Sequence, residues 1–173
     1  MSWKPKKPLT NYNEAYEFAL NRLSYRDYSQ KDLEVKLAGR LCPPDIIEQV
    51  VNKLVDYAFV NDERYAEKVF KNWLAKKYYG SNHLRMELHK KVVREDLIPQ
   101  MLQKLSTEEE LERALNAAQS YRKKNYKKYG EKNRECIANL ARALTAKGFS
   151  GSMIRLTFNR LESNWDEESQ LDT

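Results

Sequence analysis

The sequence contains few of the residues that interrupt helices or that build covalent and metal-held frameworks. Its 173 residues include five glycines, five prolines, two cysteines and two histidines. So little glycine and proline, with 32% of residues charged, is typical of a helical protein with a solvated surface. Cys42 and Cys136 are isolated, without the paired spacing of a zinc site or a disulfide scaffold, so we interpret them as thiols in a reducing cytoplasm. We expect no metal and no cofactor.

Long apolar runs and catalytic motifs are also missing. No stretch of about 18 apolar residues occurs, so we expect no membrane span. No segment alternates with period two for long enough to predict a sheet. His83 and His89 are six residues apart rather than the four that places two imidazoles on one metal. Nucleophile elbows and phosphate loops are absent as well, and we therefore expect a protein that is not an enzyme.

Positive charge is unevenly distributed along the chain. The net charge is +6, yet residues 162–173 contain five acids and no base, which leaves +11 on residues 1–161. A basic body of this kind suits a nucleic-acid partner, because phosphate contacts dominate such binding. It also suits a protein that is merely soluble. Charge alone does not separate these two interpretations.

The chain repeats an apolar pattern with spacings of 4, 4, 5, 4 and 4. Its central copy consists of Leu84, Leu88, Val92, Leu97, Met101 and Leu105. The copy 51 residues earlier consists of Leu33, Leu37, Leu41, Ile46, Val50 and Leu54. A looser copy, 56 residues later, consists of Leu140, Leu144, Gly148, Met153, Thr157 and Leu161. Spacings of four indicate one helix face, and the step to five indicates a turn between two helices.

A period near 50 residues in a helical pattern predicts a small tandem array. We expect an all-α fold of three tandem three-helix repeats, stacked into an elongated, curved body. The predicted segments are a disordered basic arm (1–12), three repeats (13–60, 61–106 and 107–161) and an acidic C-terminal tail (162–173) that frays. Ser29 with Asp32, and Thr107 with Glu110, are predicted to begin helices as capping boxes. Gly39 is predicted to end the second helix.

Four segments, in the same order along the chain, resemble the RecX family of regulatory proteins. They span roughly residues 13–161 and are Leu23–Ser29 with Leu33–Leu37, Val60–Ala66, Tyr79–Ser81 with Leu84–Leu88, and Leu144–Phe149. Two positions depart from the family pattern. Lys91-Val92-Val93 stands where Lys-Gly-Val is common, which affects the helix cap there, and Asn61 stands where an acid is usual.

The resemblance implies a tandem array of three-helix repeats in the bacterial cytoplasm, without catalytic residues. It also implies that the protein binds the RecA recombinase and lies along the groove of the RecA–single-stranded-DNA filament. There it would restrain ATP hydrolysis, strand exchange and the co-protease activity of the SOS response. We expect a monomer.

Two basic stretches with interleaved tyrosines, Lys71–Arg94 and Tyr121–Arg134, are candidates for the RecA or DNA contact. Each contains a single acid, Glu87 or Glu131. The candidate residues are Arg26, Lys76, Lys77, Tyr79, Arg85, Lys90, Lys91, Arg122, Lys123, Lys124, Lys127, Lys128, Lys132 and Arg134. Arg26 lies in the first connector, where a structural role is the stronger expectation.

Three functions stay open at this point. The first is a regulator that docks on the RecA–DNA filament. The second is a nucleic-acid-binding helical repeat without a RecA-specific role, which would bind bare DNA with a steep salt dependence. The third is a protein-interaction scaffold whose charge only keeps it soluble. The ordered resemblance favours the first.

Overall fold

A computed structural model of the protein describes residues 7–129 and 134–171, with side chains for 7–125 and 137–161. Within these residues there are nine helices and no strand, which confirms the predicted all-α fold. The helices are α1 (Tyr12–Tyr25), α2 (Gln30–Ala38), α3 (Pro44–Asp56), α4 (Asp62–Leu74), α5 (Ser81–Lys90), α6 (Leu97–Gln103), α7 (Thr107–Tyr129), α8 (Arg134–Ala146) and α9 (Gly151–Leu171).

The first three helices each begin at a residue that suits the first turn of a helix. The side chain of Asn11 accepts a hydrogen bond from the Glu14 amide and begins α1. Ser29 Oγ accepts from the Asp32 amide at 3.1 Å and begins α2, as predicted. Pro44 opens α3, because a first-turn residue has no amide partner to lose.

The core of the first three helices is closed by a residue from the predicted arm. Val50 and Leu54 of α3 are fully buried and pack in one cluster with α1 and α2. Leu9 is buried in the same cluster, and its amide donates to the Arg40 carbonyl at 2.9 Å. The arm is therefore ordered at its last residues, because burying Leu9 removes apolar surface from water.

The second helix of each repeat ends in a left-handed turn that the apolar pattern did not reveal. At these three helix ends the residues with positive φ are Leu41 (53°), Val92 (55°) and Gly148 (85°), and Ala58 (56°), after α3, is a fourth among the described residues. Leu41 is 75% exposed, so the prediction that it lies on the apolar helix face is wrong. Gly39 has φ of −64° and caps α2 in right-handed geometry, so the left-handed position is two residues later than the predicted cap.

Each left-handed turn is closed by the same backbone hydrogen bond, from the next amide to a carbonyl five residues back. The three bonds are Cys42 N to Leu37 O (3.3 Å), Val93 N to Leu88 O (3.0 Å) and Phe149 N to Leu144 O (3.2 Å). This is the closure of a Schellman-type helix end. The same closure occurs after α3, where the Phe59 amide donates to the Leu54 carbonyl at 2.9 Å, so the internal repeat is supported by the offsets of the three turns and not by the closure itself. Val92 makes its turn without glycine, the position at which the sequence departs from the family pattern.

Helix α7 has a different cap from the predicted one. Ser106 Oγ accepts from the Glu109 amide at 3.2 Å, and a Glu109 carboxylate oxygen accepts from the Ser106 amide at 2.9 Å. The capping box is thus Ser106 with Glu109, one residue before the predicted Thr107 with Glu110. The hydrogen bond from the Ser106 amide lowers the pKa of Glu109 most, and the one from the Ser106 hydroxyl lowers it further.

The last helix also differs in extent from the predicted one. Helix α9 runs from Gly151 to Leu171, beyond the predicted end at Leu161 and into the acidic tail. Buried Leu140 and Leu144 of α8 pack in one cluster with buried Leu111 of α7 and Met153 of α9. This cluster is the core of the third helix trio.

The chain divides into two compact units, each built from two separate segments of the sequence. Unit 1 comprises Met1–Val69 and Leu88–Ile98, and unit 2 comprises Phe70–Glu87 and Pro99–Thr173. Within unit 1, Ser29 Oγ donates to the Val92 carbonyl at 2.7 Å, and the Gln30 amide donates to Asp62 Oδ1 at 2.9 Å. The first turn of α2 is thus held by groups that come later in the chain. The boundaries of the three repeats stay a prediction.

Candidate functional site

Some of the predicted contact residues belong to unit 1 and the others to unit 2. Arg26, Lys90 and Lys91 belong to unit 1. Those in unit 2 are Lys76, Lys77, Tyr79, Arg85, Arg122, Lys123, Lys124, Lys127, Lys128 and Arg134. Lys132 lies outside the described residues. Each unit is therefore considered by itself.

Arg26 is engaged inside unit 1. Its guanidinium lies 3.9 Å from the ring centroid of Tyr28 and makes an ion pair of 3.2 Å with the buried carboxylate of Asp32. Lys36 is a second cation near Asp32, at 3.5 Å. Because a buried carboxylate needs such partners, the geometry favours a structural role for Arg26.

The end of the first basic stretch is largely neutralised. Arg94 pairs with Asp96 at 2.6 Å and with Glu63 at 3.1 Å. The hydrogen bond from Arg94 lowers the pKa of Asp96. Lys90 is exposed and Lys91 half-buried at the carboxyl end of α5, where a positive charge favours the helix dipole. In unit 1 these two lysines are the predicted candidates with no ion pair in the described structure.

Unit 2 gathers aromatic rings and cations at the loop between α4 and α5. The ring of Tyr79 lies against that of His83, with centroids 4.1 Å apart. The ammonium of Lys147 lies 4.9 Å from the centroid of Tyr79 and 5.8 Å from that of Tyr78. Buried Trp73 donates its indole N–H to Nδ1 of His83 at 3.0 Å. Tyr79 thus lies in contact with both a ring and a cation.

This loop is held in place by the backbone that follows α8. The Gly80 amide donates to the Lys147 carbonyl, and the Asn82 amide donates to the Gly148 carbonyl, both at 3.0 Å. The Ser81 amide donates to a Glu110 carboxylate oxygen at 2.7 Å. A Cβ atom at Gly80 would lie 2.6 Å from the Gly148 carbonyl oxygen, so only glycine permits this approach.

The end of α4 is capped by an arginine. Arg113 of α7 donates to the carbonyls of Leu74 and Lys76, both at 2.8 Å, and lies 4.4 Å from the ring centroid of Trp73. Burial lowers the pKa of Arg113. The ammonium of Lys76 pairs with Glu87 at 3.1 Å. Lys76 therefore has an ion-pair partner, whereas its neighbour Lys77 is exposed and makes no ion pair with the side chains that the structure describes.

The second basic stretch lies on α7 and at the start of α8. Arg122 is half-buried, whereas Lys123 and Lys124 are exposed to solvent. Lys127 and Lys128 continue α7, and Arg134 begins α8. Exposed lysines on a helix can contact phosphate or carboxylate without first breaking a buried pair.

Sequence reasoning missed Lys147 as a member of the aromatic loop. It lies 68 positions after Tyr79, in the Lys-Gly-Phe segment that ends α8, so no spacing rule could connect the two. Lys147 precedes Gly148, whose left-handed geometry makes the turn that brings the lysine to the loop. The Lys-Gly-Phe segment, one of the segments that resemble the RecX family, was the sequence feature that could have pointed to Lys147.

Metal sites and membrane spans are not found in the described part of the chain. No group of three or more histidine, cysteine, aspartate or glutamate side chains there could hold a metal ion. No described helix combines the length and the apolar character needed to cross a bilayer.

Comparison with known proteins identifies the family. A family model described as "RecX, first three-helix domain" matches residues 15–54. The regulatory protein RecX of Clostridioides difficile strain 630 is 31% identical over 157 residues, covering 90% of this chain and 71% of that protein. The chain belongs to the RecX family. The resemblance stated from the sequence motifs is thereby confirmed.

A RecX protein of Bacillus subtilis strain 168 is 29% identical over 157 residues. That match covers 91% of this chain but 58% of the relative, so this RecX-family chain spans under two thirds of the longer protein. Both relatives are named regulatory proteins.

The fold is that of solved RecX structures. The crystal structure of RecX from Lactobacillus salivarius superimposes with a TM-score of 0.77 at 24% identity, covering 87% of this chain and 96% of that one. A second crystal structure, of a regulatory protein RecX, has a TM-score of 0.74, also at 24% identity. These likenesses establish the helical repeat architecture.

Proposed function

We propose that this RecX-family chain is a non-enzymatic regulator that binds RecA and lies in the groove of the RecA–single-stranded-DNA filament. There it inhibits ATP hydrolysis, strand exchange and the co-protease activity of the SOS response in the bacterial cytoplasm. Family membership carries the proposal, through relatives named regulatory proteins. We propose that it acts as a monomer.

The surface chemistry supports a filament partner. Exposed Lys77 and Arg85 in unit 2, with Lys123 and Lys124 on α7, present positive charge to solvent. A nucleoprotein filament offers phosphates and acidic side chains to such residues. Several modest contacts made together by one chain would add up to high avidity.

The test is RecA's single-strand-dependent ATP hydrolysis during titration with this protein at moderate salt. We expect hydrolysis to fall at or below a stoichiometric ratio. Unchanged hydrolysis at stoichiometric excess would overturn the proposal.

The alternative is a nucleic-acid-binding helical repeat without a RecA-specific role, which the aromatic and basic loop in unit 2 also suits. It predicts binding to bare DNA with a steep salt dependence, and the same affinity with or without RecA. Bare-DNA binding without any effect on RecA would select this alternative.

A further inference from the structure

The loop between α4 and α5 contains one tyrosine that supports the loop and one that faces solvent. Tyr79 is half-buried, with its ring against His83 and the ammonium of Lys147. Tyr78 is 40% exposed, although Lys147 also lies within cation–π distance of its ring.

The charged residues that flank this tyrosine in the sequence are basic, and Glu110, an acid that α7 brings to the loop, accepts a hydrogen bond from the Ser81 amide. No acid occurs between Glu67 and Glu87 in the sequence, and Glu87 pairs with Lys76. Lys77, next to Tyr78, is exposed, as is Arg85 on the following helix. The ring is therefore embedded in a segment that attracts anions.

Unit 1 contains a second exposed tyrosine beside a lysine ammonium, and it differs from the Tyr78 loop in the charge of its neighbours in the sequence. Tyr57 is 57% exposed and its ring lies 4.5 Å from the ammonium of Lys53. Asp56 precedes it directly in the sequence, and the next charged residue is Asp62, so the flanking charge is negative. Tyr57 with Lys53 has the same two groups as Tyr78 with Lys147, but its charged neighbours in the sequence are acidic.

We propose that Tyr78 and Lys147 form a contact point for single-stranded nucleic acid, with a base stacked on Tyr78 and the adjoining phosphate held by Lys147 and Lys77. The inference rests on the proposed function, because it assigns the DNA contact of that function to unit 2. Tyr79 acts as a positioning residue through its contact with Lys147. The contact point is formed before binding, since the Gly80 and Asn82 amides fix the loop to the backbone after α8.

The aromatic ring of Tyr78 favours single-stranded nucleic acid over a duplex and over an acidic protein surface. Bases of a single strand are free to stack on an aromatic side chain, and such stacking is tolerant of sequence. Bases inside a duplex already stack on each other. An acidic protein surface would engage Lys77 and Lys147 but would gain little from the aromatic face of Tyr78.

The experiment measures binding of a fluorescent thymidine oligonucleotide to the full chain by anisotropy. Tyr78→Ala should weaken binding about 5- to 150-fold, the range expected for loss of one base–aromatic stack. Tyr78→Phe should retain the affinity, because the ring is kept. Tyr57→Ala is the matched control and should bind like the unchanged protein.

Two further measurements separate stacking from charge. Lys147→Gln should weaken binding and reduce the salt slope by about one, as loss of a phosphate contact does. An oligonucleotide of abasic sites carries the same charge without bases, and it should bind the unchanged protein and Tyr78→Ala equally. Far-ultraviolet circular dichroism checks that each variant is folded.

The inference is overturned if folded Tyr78→Ala binds the thymidine oligonucleotide with unchanged affinity. It is also overturned if this variant loses inhibition of RecA while oligonucleotide binding stays intact, since the loop would then contact the protein. Weaker oligonucleotide binding by Tyr78→Ala, with no effect of the unchanged chain on RecA, would retain the contact point and remove the proposed function.

Discussion

The hydroxyl of Ser29 donates a hydrogen bond to the carbonyl oxygen of Val92, 2.7 Å away and 63 positions later in the chain. The same hydroxyl oxygen accepts from the Asp32 amide and so begins α2. In unit 2 the start of α5 is held in a comparable way, since the Asn82 amide donates to the Gly148 carbonyl. In both units, a left-handed turn late in the sequence holds the first turn of an earlier helix.

The close approach of Gly80 and Gly148 predicts that neither tolerates a side chain. A Cβ atom at Gly148 would lie 2.4 Å from the His83 amide nitrogen, and its φ of 85° disfavours other residues. We expect Gly80→Ala and Gly148→Ala each to lower the free energy of unfolding by at least about 2 kcal/mol in urea titrations. Gly151→Ala is the control, since no atom lies within 4 Å of its added Cβ. If all three variants unfold alike, the close approach is not what limits stability.

The left-handed turns predict stabilisation by glycine. Leu41→Gly should raise the free energy of unfolding by up to about 1 kcal/mol, because Leu41 is exposed and its positive φ is costly for any side chain. Val92→Gly should act in the same direction. By contrast Val35→Gly, at an exposed position inside α2, should lower stability by about 1 kcal/mol. Thermal unfolding followed by circular dichroism distinguishes the two signs, and a loss at both turn positions would contradict the strain argument.

The buried carboxylate of Asp62 predicts a pH dependence. Burial raises its pKa above the usual range, although the Gln30 amide and Arg94 oppose this. Because the folded state favours the protonated acid, its contribution to stability is fully present below the unfolded pKa. It is lost as pH rises through the higher folded value. Asp62→Asn keeps an acceptor for the Gln30 amide and should lack this loss between about pH 3 and pH 7.

Asp62→Ala separates the hydrogen bond from the charge. It leaves the Gln30 amide without its acceptor and should cost about 1–3 kcal/mol at all pH values. Urea unfolding of the unchanged protein and both variants across this pH range provides the measurement. Parallel pH profiles for the unchanged protein and Asp62→Asn would show that Asp62 titrates normally.

The repeated apolar face predicts a large cost for Leu88→Ala. Leu88 is fully buried in the predicted core position of α5, and a truncated leucine of this kind costs about 2–5 kcal/mol. Met86→Ala, two residues earlier and 68% exposed, should change stability by less than about 0.5 kcal/mol. Urea titration compares the two, and equal losses would place Leu88 outside the core.

The basic part of α7 predicts a loss of filament binding without a loss of folding. Lys123 and Lys124 are exposed, and reversing charge at Lys123, Lys124, Lys127 and Lys128 to glutamate should weaken inhibition of RecA's ATP hydrolysis. The helical circular dichroism signal should be unchanged. Full inhibition by this folded variant would remove α7 from the interface.

Apolar spacing and capping residues predicted most of the helices, since both act within a few positions of the chain. Ser29 shows this, because it caps the helix that directly follows it. The left-handed residues escaped the same reasoning, because Leu41 and Val92 look like members of an apolar face. Lys147 escaped as well, since the fold alone brings it to Tyr79. The position of Lys147 depends on contacts between distant parts of the chain, whereas the left-handed turns are closed locally and were missed because apolar residues occupy two of them.

Ser29 and Gln30, at the start of α2, donate hydrogen bonds to Val92 and Asp62, which are synthesised later than α2. Helix α2 therefore reaches its final set of hydrogen bonds only late in synthesis. Helix α2 leaves the ribosome first, but Asp62 and Val92 emerge only after further helices have been made. In the same way, the Ser81 and Asn82 amides of α5 find their acceptors, Glu110 and Gly148, only after those later residues have been synthesised. A nascent chain arrested before Asp62 would therefore leave the Gln30 amide in the first turn of α2 without its acceptor, and one arrested before Val92 would leave the Ser29 hydroxyl without its acceptor.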